Sequence, residues 1–176
     1  MAVRTILLEG DPRLRRVAEA VQSFPSAEIE ALIDDLRDTM AAADGAGLAA
    51  PQIDVNLRVV IFGITFNRRY PEAPPIPETV LINPVITPLG EALDIREEGC
   101  LSVPDRRAAV SRWARIHYRG FDGQGQLIER EVEGFHARVV QHEVDHLDGV
   151  LFPDRLAEAT PQVQAASTAS SSTASI

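Results

Sequence analysis

Apolar residues recur along this chain with two periods. Ile29, Leu32, Ile33, Leu36 and Met40 keep the three-and-four spacing of one helix face. Ser26 stands where an N-cap would, and Glu28 and Glu30 occupy the first turn, where carboxylates complement the positive helix end. The spacing predicts an N-terminal amphipathic helix over roughly 27–43, packed on a sheet and ended by Asp44-Gly45-Ala46-Gly47. Leu57 to Ile64 is an unbroken, β-branched apolar run, which predicts a buried strand. Thr79 to Ile86 predicts a second strand. Asn83-Pro84 interrupts it, and proline cannot donate to a ladder, so an edge position is expected. Residues 70–78 carry four prolines, at 71, 74, 75 and 77, and predict an exposed loop. Gly10-Asp11-Pro12-Arg13-Leu14 predicts a turn. Arg115–Phe121 and Leu127–Val132 flank Asp122-Gly123-Gln124-Gly125 as the arms of a hairpin.

The helical period returns from about Gly134 to Leu147. Phe135, Val139, His142, Glu143 and His146 share one face, and Val140, Val144 and Leu147 form a second apolar line. Such a helix is buried on most sides. From about Ala157 the chain is Ala/Ser/Thr-rich with no apolar period. A single domain over 1–156 is therefore expected, followed by a poorly ordered tail over 157–176. Strands followed by a helix predict an α+β fold, with mixed or antiparallel β-sheets around a central helix.

Composition narrows the chemistry. At 176 residues and 45% apolar content the chain suits one packed domain. The net charge is −9, and all 17 basic residues are arginine. With no lysine, Schiff-base and P-loop chemistry are excluded, and a polybasic nucleic-acid or membrane surface is not expected. No apolar run approaches a membrane span, and the first residues do not read as a signal peptide. The lone cysteine, Cys100, rules out an intramolecular disulfide and suits a reducing cytoplasm.

Three segments carry candidate chemistry. The first is Gln141-His142-Glu143-Val144-Asp145-His146-Leu147-Asp148-Gly149. On a helix His142 and His146 lie one turn apart and can grip one divalent metal ion, with Glu143 beside it as a base for a water. The fold class thus acquires a metal-bearing helix. A hydrolytic site normally takes a third protein ligand, which could be Glu, Asp, His or Cys. Cys100, in Glu98-Gly99-Cys100-Leu101-Ser102, is one possibility; a small buried thiol is the commoner fate of a lone cysteine. The third segment is Gly45-Ala46-Gly47-Leu48-Ala49-Ala50-Pro51-Gln52, whose glycines let backbone amides approach a ligand and whose Gln52 is a neutral donor for an oxyanion. His117, mid-strand, and His136, off the metal face, read as structural.

Taken together, the three segments resemble, in order and spacing, the signature motifs of bacterial peptide deformylases, over Gly10 to about Leu156. The resemblance implies removal of the formyl group from N-formyl-methionyl nascent peptides. It implies Cys100, His142 and His146 as metal ligands, Glu143 as base and then acid, and Gln52 with the Leu101 N–H as oxyanion donors. A water activated by the metal would attack the formyl carbon. The Gly45–Gly47 region and the Glu98-Gly99 edge would pair with the substrate backbone. Phe135 and Val139 are the best candidates for a methionine slot, with Arg138 and Ala46 at its mouth, and Arg107 matches an arginine bordering the cleft in some members. Fe²⁺ is the expected metal in cells, with Zn²⁺, Ni²⁺ or Co²⁺ also compatible. The resemblance also brings a transient ribosome contact among the expected partners. Arg112 and Asp145 are expected to pair and hold the motif helix.

Two features depart from the pattern: Asp105-Arg106, after Leu101-Ser102-Val103-Pro104, and the tail. Competing readings are another metallohydrolase and a non-catalytic metal-binding paralogue. A thermolysin-like site takes its third ligand downstream, where Glu158 falls in the Ala/Ser/Thr-rich tail. A degenerate site would be expected to lose Glu143 or Gln52, and both are present.

Overall fold

The computed structural model describes residues 2–64 and 74–156. The tail over 157–176 and the first part of the proline-rich stretch, 70–73, lie outside the described residues. In chain order come a 3₁₀ turn (Pro12–Arg15), α1 (Ala27–Ala42), β1 (Gly47–Ala49), a second 3₁₀ turn (Ala50–Ile53), β2 (Val59–Ile64), β3 (Ile76–Pro88), β4 (Leu93–Cys100), β5 (Val103–Trp113), β6 (Arg115–Phe121), β7 (Leu127–Glu133) and α2 (Gly134–Leu147). Five strands form one antiparallel sheet in the order β1-β2-β3-β6-β7, and β4 and β5 form a separate two-stranded sheet.

The large sheet lies between the two helices. Ser26 Oγ accepts from Ile29 N at the start of α1. Ile29, Leu32, Ile33, Leu36 and Met40 then pack with Leu48, Val59, Ile61 and Ile82 on one sheet face. On the other face Val60, Phe62, Leu81, Ile116 and Tyr118 meet Ala137, Val140, Val144 and Leu147 of α2. The unbroken apolar run of β2 follows from this: a strand covered on both faces has no polar side to alternate with. A smaller cluster joins Cys100, Val103 and Val110 to Leu151 and Phe152, just beyond α2.

Two expectations are corrected. β3 is the central strand of its sheet rather than an edge. Asn83-Pro84 falls where the β3–β6 register shifts between Ile82 and Val85, so the missing proline donor costs no ladder bond. Asn83 takes a left-handed φ of 52°, and its side chain bonds Val21 N and Val21 O, both at 2.9 Å. The proline-rich loop also ends sooner than expected, since β3 begins at Ile76 and includes Pro77. Pro77 too sits at a register shift, opposite the step from Phe62 to Ile64.

The β4–β5 hairpin is the element that sequence patterning did not predict. Asp94, Arg96, Glu97 and Glu98 in β4, and Asp105, Arg106 and Arg107 in β5, break any apolar alternation. Asp94 pairs with Arg96 and Glu97 with Arg107 inside the hairpin, while Glu98 is met by Arg138 and His142 of α2 and Arg106 by Glu9.

Candidate active site

α2 opens at Gly134, in a left-handed conformation (φ 59°). It carries His142 and His146 on successive turns, with ring centroids 5.1 Å apart. Cys100 reaches them from the end of β4, and its Sγ lies 3.3 Å from His146 Nε2. One ligand atom from each of Cys100, His142 and His146 lies within 4.8 Å of the others. Donors around a tetrahedral divalent ion sit about 3.5 Å apart, so this cluster has the size of a coordination sphere. A buried thiol with two imidazoles is also a donor set for a borderline metal. The residues fit such an ion.

Electrostatics agree with the donor set. Burial opposes a Cys100 thiolate, but the charge and hydrogen bonds of His146 and His142 outweigh it and lower the thiol well below its usual value. His142 Nδ1 meets Glu98 Oε2 at 2.9 Å, which leaves Nε2 as the ligand atom. Arg112 grips Glu98 at both oxygens, 2.9 Å each. Burial works against ionised Glu98, but Arg112 and His142 hold it well below the usual carboxylate range. Arg112 also reaches Asp145 at 2.5 Å, as expected from sequence, and Asp145 pairs further with Arg155 at 2.6 Å.

Glu143 is 4% exposed, and its Oε2 has no hydrogen-bond partner among the described residues. Burial raises its pKa to about 7, with His142 and His146 pulling the other way. A group at that value can take up and give back a proton near neutral pH. Gly47 borders it closely: a Cβ on Gly47 would lie 2.2 Å from Glu143 Oε1. Gln52, in the 3₁₀ turn after β1, is fixed at both ends. Its Oε1 accepts from Ala49 N (2.8 Å), while Nε2 donates to Ser102 Oγ (3.0 Å) and lies 3.7 Å from Cys100 Sγ.

Most sequence-predicted site residues line a single cleft. Gly45, Ala46, Gly47 and Gln52 come from the segment around β1, and Glu98, Gly99, Cys100 and Leu101 from β4 and its turn. Phe135, Arg138, Val139, His142 and Glu143 come from α2. His146 lies beneath the lining, 2% exposed, and meets it through Cys100. Arg107 stands one strand back, paired with Gly99 across the β4–β5 register and 3.8 Å from Glu97. Glu97 also lines the cleft, and nothing in the sequence singled it out. The grip of Arg138 on Glu98 (2.6 Å) was likewise not legible.

His117 pairs with Glu129 at 2.9 Å on the surface of the sheet. His136 packs against Phe62 and Tyr118, away from the ligand cluster.

The family model for polypeptide deformylase matches residues 3–162, nearly the whole described chain. The chain belongs to the peptide deformylase family. It is 58% identical over 158 residues to peptide deformylase 2 of Ralstonia nicotianae, covering 90% of this chain and 89% of that protein. It is 59% identical over 159 residues to peptide deformylase 1 of Prochlorococcus marinus, covering 90% and 83%. Among solved structures, the class I type b peptide deformylase of Acinetobacter baumannii bound to Met-Ala-Ser matches with a TM-score of 0.84 at 38% identity, covering 88% of this chain and 98% of that one. The Thermotoga maritima peptide deformylase matches with a TM-score of 0.78 at 35% identity, covering 88% and 98%. The α+β arrangement of antiparallel sheets with α1 and α2 is thus the deformylase fold, and the Cys/His cluster fits its single catalytic metal.

Proposed function

We infer that this chain hydrolyses the N-formyl group of formyl-methionyl peptides, releasing formate and a free N-terminal methionine. The observation that carries the reading is the meeting of Cys100, His142 and His146 beside a buried Glu143, in a chain of deformylase family. A divalent ion held by those three residues supplies Lewis acidity and lowers the pKa of a water. The remaining work falls to the chain. Glu143 takes the proton of the attacking water and delivers it to the leaving nitrogen as the C–N bond breaks, acting as base and then acid. Gln52 Nε2 and the Leu101 N–H donate to the oxygen on which negative charge develops. Ser102 and Ala49 fix the Gln52 amide beforehand, so little reorganisation is needed during reaction.

Binding is assigned to the cleft walls. The Gly45–Gly47 segment and the Glu98-Gly99 edge flank the opening and offer backbone groups to an extended peptide. Phe135 and Val139, one turn apart, supply the apolar side for methionine, with Ala46 and the stem of Arg138 beside them. Arg107 is placed to meet a longer peptide beyond Gly99. That the Acinetobacter baumannii relative is bound to Met-Ala-Ser supports this choice of substrate. Fe²⁺ is the proposed metal in cells, with Zn²⁺, Ni²⁺ and Co²⁺ as substitutes suited to the same donors. Nascent chains in the cytoplasm, met through a transient ribosome contact, are the proposed setting. No helix among the described residues is long and apolar enough to cross a membrane.

The test is formate release from formyl-Met-Ala-Ser by protein loaded with Fe²⁺ without oxygen, with Glu143→Ala at equal metal content. Wild type should turn over, and the variant should fall by about 10²–10⁴-fold, the usual worth of a positioned acid–base group. Metal-loaded wild type that releases no formate would sink the deformylase reading.

A further inference from the structure

We propose that Arg138 is a positioning residue for the metal centre, bracing both Glu98, which orients His142, and the hairpin that delivers Cys100. The proposal rests on the reading of Cys100, His142 and His146 as metal ligands. Those ligands come from two separate bodies: α2 carries the histidines, and the β4–β5 hairpin carries the thiol. The apolar cluster around Cys100 packs the hairpin against Leu151 and Phe152, beyond the end of α2. Alongside α2 itself the junction is polar. Gln141 bonds the backbone N and O of Trp113, Arg112 spans Glu98 and Asp145, His142 meets Glu98, and Arg138 adds a further link.

Arg138 lies one helical turn before His142 and is 3% exposed. Its Nη1 donates to Glu98 Oε1 at 2.6 Å and to Val110 O at 2.9 Å, and its Nη2 donates to Asp94 O at 2.6 Å. One guanidinium from α2 therefore ties a carboxylate and two backbone carbonyls, on both strands of the hairpin. The charge is balanced by Glu98 while Nε has no partner among the described residues, and the planar fork reaches all three acceptors where a single ammonium could not.

The effect on Glu98 follows from counting acceptors. Oε1 receives Arg112 Nε and Arg138 Nη1; Oε2 receives Arg112 Nη2 and His142 Nδ1. With two bonds on each oxygen, the carboxylate has no free rotation, and the imidazole it holds is fixed in plane. Without Arg138, Oε1 keeps a single donor, the carbonyls of Asp94 and Val110 lose their tie to α2, and Glu98 can turn. His142 and Cys100 then lose their fixed relation. The position at the mouth of the methionine slot concerns the stem of the same side chain; the bracing role belongs to its guanidinium.

The test reads the metal and not turnover, so it stands apart from the formate assay: a wild type inactive on formyl peptides would still report on Arg138. Holoprotein loaded with Co²⁺ is mixed with excess chelator, and metal release and the cobalt–thiolate absorption are followed for wild type, Arg138→Met, Arg138→Lys and Gln141→Met. Arg138→Met should release metal about 10-fold faster or more, with a changed cobalt spectrum, in the range for partners of ligand residues. Arg138→Lys should fall between, because charge is kept and the fork is lost. Gln141→Met loosens the hairpin without touching Glu98 and should stay within about twofold of wild type. Wild-type release and spectrum in Arg138→Met would overturn the proposal. So would equal acceleration by Gln141→Met, which would reduce the effect to hairpin docking alone. Should Arg138→Met fail to fold, a wild-type release rate in Arg138→Lys would overturn it equally.

Discussion

Gly47 lacks a side chain because Glu143 occupies the volume that one would need. A Cβ there would lie 2.2 Å from Oε1 and 2.6 Å from the carboxyl carbon, so the Glu143 side chain would have to move. The sequence showed a glycine pair that could let a peptide backbone approach, and both glycines line the cleft. The second reason was not legible, because Gly47 and Glu143 are distant in sequence and meet only when β1 packs on α2. Gly47→Ala must push the carboxylate aside by roughly an ångström, and a displacement of that size at a reacting group costs about 100-fold in rate. Formate release should fall by about that factor while metal content, measured on the same sample, stays at wild-type level. An alanine variant with wild-type turnover would mean that Glu143 has room the structure does not show.

Elements with a local signature were legible, and those built on distant partners were not. The helix of the metal motif declares itself by period, and β6–β7 by its turn, since both signals lie within a dozen residues. The β4–β5 hairpin hides because its charges are answered from α2, by Arg138 and His142 on Glu98 and by Asp145 on Arg112. Asn83-Pro84 misled for a related reason: the bulge that accommodates it depends on Val21, far upstream. Asn83→Ala should therefore cost about 2 kcal/mol, from two lost backbone contacts and a left-handed φ that alanine resists. Urea denaturation would report it, and an unchanged midpoint would count against the bulge as a fixed point of β3.

The first turn of α2 docks on the sheet through His136. Arg130 donates to Tyr118 Oη, and that hydroxyl lies 3.4 Å from His136 Nε2. Burial, assisted by the Arg130 charge, lowers His136 from 6.5 to about 4. The unfolded chain thus takes a proton near pH 6.5 that the native chain refuses until about pH 4. Stability from this group is full above that window and is lost as pH falls through it. Between pH 7 and about 4.5 wild type should lose about 2 kcal/mol relative to His136→Gln, allowing for partial exposure. Denaturation at the two pH values would check it, and a loss of equal size in both proteins would refute it.

At the scale of the whole molecule, the site is where two sheets and a helix are tied together. Cys100 arrives with the small sheet, His142 and His146 with the helix, and Gln52 with the turn after β1 in the large sheet. A metal ion held by Cys100, His142 and His146, as proposed, would close the small sheet onto the helix and act as a cross-link as well as a Lewis acid. Binding to the native state alone stabilises by RT ln(1 + [L]/Kd), about 2.7 kcal/mol when free metal is 100 times Kd. In a domain of this size that corresponds to a melting temperature about 5–10 °C higher than in chelated protein. Cys100→Ser should shrink that gap, because a hydroxyl is a poor ligand beside a thiolate. Glu143→Ala should keep it whole, since the carboxylate is assigned to the water and its removal leaves all three ligands in place. Calorimetry of wild type and both variants, with and without chelator, would separate the two roles. A gap abolished by Glu143→Ala would make Glu143 part of the coordination sphere and return the choice of general base to the other buried groups of the cleft.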